Sequence, residues 1–358
     1  MISNSGTLAA PFPWFGGKSG ACQTVWQAFG LVDNYVEPFA GSAAMLLGAP
    51  DGKRVETIND ADGLVANFWR ATAMDADAVA AAADWPCNET DLFARHSWLV
   101  RQRDALLEKL HADPAFYDAQ IAGWWCWGAC NWIGSGWCSG TGPWVHDGER
   151  ILDVRQLPHL GNSGQGINRQ LPHLGNSGQG INRKLPHLGD SGRGVNRQLP
   201  HLGDSGRGGA HPRGAYIRDW FAALQARMRD VRVTCGDWSR VAKDSVTTRH
   251  GLTAVFLDPP YTKGAMDYSA GGVGGELARD VQAWCAANGE NKMLRIVLCG
   301  HAGEHDALLQ HGWHIREWTA RKGYALTDEA VANSASETVW CSPHCVAPVV
   351  AQNDLFAE

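Results

Sequence analysis

The sequence predicts an α/β fold in which a parallel sheet carries helices on both faces. Short apolar runs of strand length alternate with helix-like stretches, and polar residues directly follow several of those runs. The first strand is Asn34-Tyr-Val-Glu37 and the second Arg54-Val-Glu-Thr-Ile58. Val231-Arg-Val-Thr-Cys235, Thr253-Ala-Val-Phe-Leu257 and Leu294-Arg-Ile-Val-Leu-Cys299 follow. Each is rich in β-branched or apolar residues, which suits a strand buried on both sides. Between them lie helix-like stretches at Ala43–Leu47, Leu64–Ala73, Tyr216–Asp230 and Glu276–Ala287. Asp75–Ala122 reads instead as several helices in succession. The chain therefore divides into one α/β domain built from residues 1–73 and 215–350, a helical, Trp-rich lobe over 74–154, and an insertion over 155–214.

The insertion is repetitive. Arg155-Gln-Leu-Pro-His-Leu-Gly-Asn-Ser-Gly-Gln-Gly-Ile-Asn168 recurs from Arg169, from Arg183 and, with a degraded end, from Arg197, a period of 14. Each unit holds a proline and several glycines, so its interior cannot be helical. Its few apolar residues cannot build a core, so the array is either flexible or held as turns against something else.

Composition narrows the class. The 358 residues are 44% hydrophobic and 19% charged, enough for one large core or two modest ones. A net charge of -6 argues against a protein that simply coats nucleic acid or anionic lipid. The charge is uneven, however. Between Arg155 and Gly214 eight Lys and Arg face two Asp, a local +6 that leaves -12 to the rest. One basic segment on an acidic body fits a polyanion docking at a single place, although a merely solvated loop has the same charge. No apolar run reaches the roughly 20 residues that span a bilayer, and the polar start at Met1–Ala10 lacks a secretory pattern. These features point to a cytoplasmic protein with no membrane partner, and to ten reduced cysteines without disulfides.

Ligands of open parallel sheets bind beyond the carboxyl ends of the strands. After the first strand comes Glu37-Pro-Phe-Ala-Gly-Ser42, where Gly41 lets a ligand approach the backbone ahead of a helix N-terminus. After the second comes Asp60, about 20 residues beyond the glycine turn, a spacing and residue type suited to ribose hydroxyls. A tight turn at Gly41 and a helix cap at Asp60 are the plainer readings. After the fourth strand comes Asp258-Pro-Pro-Tyr261. Consecutive prolines supply no N–H, so the Asp258 carboxylate and Pro259 carbonyl form a stiff pair of acceptors, matched to the two hydrogens of an exocyclic amine. Tyr261 adds a plane on which a base stacks, worth roughly 1–3 kcal/mol.

Pro13-Trp-Phe-Gly-Gly-Lys18, Val36-Glu-Pro-Phe-Ala-Gly-Ser42, Asn59-Asp60, Cys235-Gly-Asp237 and Asp258-Pro-Pro-Tyr261 occur in that order. In this the chain resembles the Dam-type DNA adenine-N6 methyltransferases, especially phage- and prophage-borne members, over roughly Pro11–Ala73 and Val231–Cys345. The resemblance implies a Rossmann-like methyltransferase sheet with S-adenosylmethionine as methyl donor and double-stranded DNA as partner, with no obligate protein partner. It further implies that Trp14, Lys18, Asp60 and Asp258 touch the cofactor, that Phe39 and Gly41 line its methionine part, and that Asp237 sits near its adenine ring. Asp258, Pro259 and Tyr261 become the catalytic residues. The 74–154 lobe becomes the target-recognition region, although the family's Asn-Gly pattern with a following Arg is not legible there.

The chemistry has its own logic. Adenine N6 is a weak nucleophile because its lone pair is delocalised into the ring. Acceptors that bind both of its hydrogens favour a pyramidal nitrogen and so act most strongly in the transition state. The sulfonium methyl then needs only to lie in line, and the base must be flipped out of the duplex. Cytosine N4 is also an exocyclic amine and would suit the same acceptors. A DNA-binding module with a degenerate cofactor pocket and a small-molecule methyltransferase complete the alternatives. The run Trp124–Trp137 offers either core packing or aromatic anchors. Cys126, Cys130 and Cys138, or Cys341, His344 and Cys345, lack paired metal-ligand spacing, so no metal is expected.

If the repeats follow DNA phosphates outside the target, deleting residues 155–210 weakens DNA binding and flattens its salt dependence while leaving cofactor affinity alone. Filter binding across a salt series checks this, and an unchanged slope would exclude the role.

Overall fold

The computed structural model describes residues 8–9, 11–14, 18–132, 136–138, 144–146, 151–153, 213–260, 274–316 and 337–347. The chain begins with α1 (Cys22–Phe29), β1 (Asn34–Glu37), α2 (Ala44–Leu47) and β2 (Val55–Asp60). A helical run follows: α3 (Gly63–Met74), α4 (Ala76–Ala83), α5 (Glu89–Ala112) and α6 (Ala119–Asn131). A small hairpin, β3 (Trp144–His146) and β4 (Ile151–Asp153), precedes α7 (Arg213–Met228), β5 (Arg232–Cys235) and β6 (Thr253–Leu257). The last elements are α8 (Gly274–Asn288), β7 (Leu294–His301), β8 (His314–Arg316) and β9 (Glu337–Cys341). Four consecutive helices start on a side chain that accepts an otherwise unpaired amide: Asp62 for α3, Asp75 for α4, Asn88 for α5 and Asp118 for α6. The longest, α5, opens with Glu89 and Asp91 and closes with Lys109 and His111, complementing its dipole at both ends. Among the described residues no helix is long and apolar enough to cross a membrane.

Seven strands form one sheet in the order β5-β2-β1-β6-β7-β9-β8. The five strands read from the sequence pair in parallel, and β1 and β6 are buried along their whole length. The sheet is nevertheless mixed, which corrects the expectation of a purely parallel one: β9 runs antiparallel between β7 and β8.

Side chains alternate across the pleat, so consecutive residues enter different cores. In β6, Ala254 and Phe256 join one hydrophobic cluster and Val255 and Leu257 the other. In β7, Val297 and Cys299 oppose Ile296 and Leu298, and in β9 Val339 and Cys341 oppose Trp340. The first cluster takes residues from α1, α3, α4, α5, α6 and α7, whereas the second is closed by Val281 and Cys285 of α8 with Trp238 and Trp313. Helices therefore cover both faces.

The helices of residues 76–131 share the first cluster with α3 and α7. Phe12 lies at its centre, fully buried, with ring centres 5.1 Å from Phe68 and 4.7 Å from Trp125. Burying it contributes roughly 1.5–3 kcal/mol and anchors the segment that carries Trp14. Most of the Trp-rich run turns inward. Trp125, Trp127 and Trp132 are buried, and Arg95 of α5 lies 4.4 Å from the Trp127 ring centre and 4.8 Å from that of Trp124. Helices α4 and α6 meet at Gly123, where a Cβ would sit 2.4 Å from the Cβ of Ala82 and 2.6 Å from the carbonyl oxygen of Val79. Gly123→Ala is expected to lower stability by about 1–3 kcal/mol through overpacking. Chemical denaturation measures this, and an unchanged midpoint would show that the helices part without cost.

Candidate functional site at the carboxyl edge of the sheet

From β1 the chain moves outward to β2 and β5 and then returns to the other side of β1 for β6 and β7. The order reverses between β1 and β6, where loops from neighbouring strands part in opposite directions and a ligand crevice belongs. Glu37, Asp60 and Asp258 stand at or just beyond the ends of β1, β2 and β6.

The turn after β1 is built around Gly41. Its φ of 46° is left-handed, and a Cβ there would lie 2.3 Å from Nε1 of Trp14, so both backbone and neighbour require glycine. The Gly41 amide donates to Oδ2 of Asp60 at 2.9 Å, and its carbonyl accepts from Nε1 of Trp69 at 2.8 Å. The other Asp60 oxygen, Oδ1, accepts from the Asp62 amide at 2.9 Å. The cap of α3 belongs to Asp62, whose Oδ1 accepts from the Leu64 amide. Asn59 ties the neighbouring loops together, with Nδ2 donating to the carbonyls of Pro38 at 3.0 Å and Gly236 at 2.9 Å. Thr234 of β5 holds that amide by donating to its Oδ1.

Electrostatics follow from burial. Burial pushes the Asp60 carboxyl up to about 7, with the charge of Asp62 adding to it and the amides of Asp62 and Gly41 opposing it. Glu37 is buried and is pushed up to about 8, chiefly by desolvation, with the charges of Asp258 and Asp60 adding to it. The Tyr35 hydroxyl donates to Glu37 Oε2 at 2.9 Å and works against that rise. Among the described residues one buried ammonium enters this group: Lys18 Nζ lies 3.2 Å from Asp258 Oδ1. The nearby thiols stay protonated at neutral pH. Burial raises Cys22 and Cys235 to about 12, aided by Glu37 at the first and by Asp60 and Asp62 at the second.

Trp14, Gly41 and Asp60 are thus joined by contact and hydrogen bond, and Lys18 is joined to Asp258 by an ion pair, two groups on one edge of the sheet. Phe39 stacks on Trp238 at 6.1 Å and 28°, which turns it toward the second core. Asp237 is exposed on the neighbouring loop after β5, where Oδ1 accepts from the Ser239 amide. Pro259 is buried directly behind Asp258. Tyr261 and the repeats from Arg155 to Ala210 lie outside the described residues. Sequence reasoning assigned no role to Glu37, although an acidic residue closing a buried strand was a visible signal. The bracing by Asn59 and Thr234 carried none. No protein-family model matches the chain, and no curated protein matches it in sequence.

The arrangement offers clustered acceptors, one cation and an indole over a glycine turn. Such a site suits a ligand with a hydroxyl and positive charge. Glu37 holds its proton to about pH 8 in the fold, against an ordinary value of 4.5. The native state therefore binds the extra proton between those values, and this group's contribution to stability falls as pH rises through that window. Glu37→Gln mimics the protonated form, so its melting temperature should gain on wild type from pH 5 to about pH 9. Thermal melts at several pH values test this, and a difference constant with pH would contradict it.

Proposed function

We propose that the protein is an S-adenosylmethionine-dependent DNA methyltransferase acting on the exocyclic N6 of adenine in duplex DNA. The observation that carries this reading is the pairing of Lys18 with Asp258 beside the turn where Gly41 is bound to Asp60. These features flank the reversal point of the sheet. Numbered by chain order within the sheet, the strands run 3-2-1-4-5-7-6, and the first five follow the doubly wound, Rossmann-like order.

The residues fit the cofactor. Asp60 accepts from the backbone amides of Gly41, Asp62 and Ala61, and a carboxylate has about four lone-pair directions, so one remains for a ribose hydroxyl. At the Gly41 turn the Trp14 indole takes the space a side chain would fill, so that ring would wall the methionine portion, while Phe39 faces Trp238 and the second core. Asp237 follows Gly236, whose amide donates to the Asp60 carbonyl at 3.0 Å, and is assigned to the adenine ring. With Glu37 protonated up to about pH 8 and Asp258 paired with Lys18, Asp60 is the carboxyl left to meet a cation, and a ligand that brings positive charge would favour its ionised form. When bound, S-adenosylmethionine supplies an electrophilic methyl on a sulfonium.

The rest of the reaction falls to the chain. The Asp258 carboxylate, oriented by Lys18, and the carbonyl of Pro259 accept from the two N6 hydrogens of a flipped adenine and concentrate its lone pair. Asp258 is also where the departing N6 proton is held before it passes to water. Tyr261 stacks on the base. The raised Cys22 and Cys235 supply no thiolate nucleophile, in keeping with direct transfer. The basic insertion gives duplex DNA its electrostatic footing.

Mass spectrometry of nucleosides from plasmid DNA treated with protein and S-adenosylmethionine is expected to show N6-methyladenine. N4-methylcytosine would move the chemistry to the other exocyclic amine, and no methylated nucleoside would contradict the proposal. Asp258→Ala should lower methyl transfer by about 10²–10³ or more while DNA affinity stays within about threefold. Parallel filter binding would reveal a loss of both.

A further inference from the structure

The register that aligns β1, β2 and β5 ends at the carboxyl edge, with Glu37 opposite Ile58 and Asp60 opposite Cys235. Two backbone bonds continue it into the loops, from the Ala40 amide to the Asn59 carbonyl at 2.9 Å and from the Gly236 amide to the Asp60 carbonyl at 3.0 Å. The Asn59 side chain then spans all three loops. Its Nδ2 donates one hydrogen to the Pro38 carbonyl at 3.0 Å, after β1, and the other to the Gly236 carbonyl at 2.9 Å, after β5. Its Oδ1 accepts from Oγ1 of Thr234 at 2.9 Å. Both amide hydrogens and the amide oxygen are therefore in use, and that network fixes which way the amide faces.

Asn59 is 1% exposed, so its side chain meets loops and not a ligand. Pro38 is buried as well, and without Asn59 its carbonyl would lose a buried partner. The loops joined in this way carry different parts of the candidate site. Pro38 leads to Gly41, Asn59 precedes Asp60, and Gly236 precedes Asp237. Asn67, also buried, makes a comparable pair of bonds elsewhere: its Nδ2 donates to the Asp118 carbonyl and its Oδ1 accepts from the Asp118 amide, both at 2.8 Å, tying α3 to the cap of α6.

We propose that Asn59 is a positioning residue that sets the spacing of the three cofactor loops, so that the site selects a ligand whose amino-acid chain, ribose and base belong to one molecule. The proposal rests on the methyltransferase reading, in which Gly41, Asp60 and Asp237 meet those three parts. A planar amide suits the task because its two hydrogens hold two carbonyls from different loops at a set separation. Aspartate has the same shape but sets an oxygen against both carbonyls, so the loops part. Loops that are free to move must then be ordered by the ligand, and that ordering weakens binding.

The test is calorimetry of sinefungin binding, read both as affinity and as the number of sites per chain. In Asn59→Asp the affinity should fall about tenfold or more while the number of sites stays that of wild type. A residue that only maintained the fold would lower the number of sites and leave the affinity of the folded chains alone. Asn67→Asp breaks the comparable buried pair away from the strand ends, and its affinity should stay within about twofold of wild type. Thr234→Val removes the donor to Asn59 Oδ1, should weaken binding about threefold or more, and decides the matter if Asn59→Asp does not fold. A folded variant at Asn59 or Thr234 that keeps wild-type affinity, a loss confined to the number of sites, or an equal loss of affinity in Asn67→Asp overturns the role of Asn59 and leaves the methyltransferase reading standing. A wild type that does not bind sinefungin overturns both.

Discussion

The hydrogen bond from the Gly41 amide to the Asp60 carboxylate joins the turn after β1 to the end of β2. It forms only because Gly41 adopts a left-handed φ, and that conformation leaves space which the Trp14 indole fills. Trp14 is itself delivered by Phe12, buried among Phe68, Trp69 and Trp125. One turn therefore transmits the packing of the helical run to the carboxyl edge of the sheet. A residue larger than glycine would break the bond and displace the indole together.

The second constraint is charge. Parallel strands bring Glu37, Asp60 and Asp258 to the same edge, and burial raises the cost of ionising Glu37 and Asp60 there. Lys18 offsets part of that charge at Asp258, and backbone amides offset part of it at Asp60. The remaining crowding of acceptors is relieved in the isolated fold by the proton on Glu37 and by partial protonation of Asp60, protons that a bound cation would displace. The fold retains it because the strands beneath are buried on both faces and cannot shift to relieve it.

The parallel core of the sheet was legible because strands buried on both faces read as continuous apolar runs. Asn34–Glu37 and Thr253–Leu257 match their observed bounds. The antiparallel edge was not legible. β8 has only three residues, and Glu337–Cys341 lies far along the chain from both strands it pairs with, with no local pattern to set its direction. Asp258, Asp60 and Gly41 could be picked out because a polar residue or a glycine interrupts an apolar strand at its end. Lys18 was found through a motif; its partner needed the structure, since nothing local relates it to a carboxylate so far along the chain.

A crystal structure with sinefungin and a duplex bound addresses the central claim most directly. The account predicts a ribose hydroxyl on Asp60, the sinefungin amine facing the Asp258 end of β6, and an extruded adenine whose amino group meets Asp258 and Pro259. Sinefungin seated away from the β1–β6 edge, or a carboxyl edge closed to any purine, would contradict it.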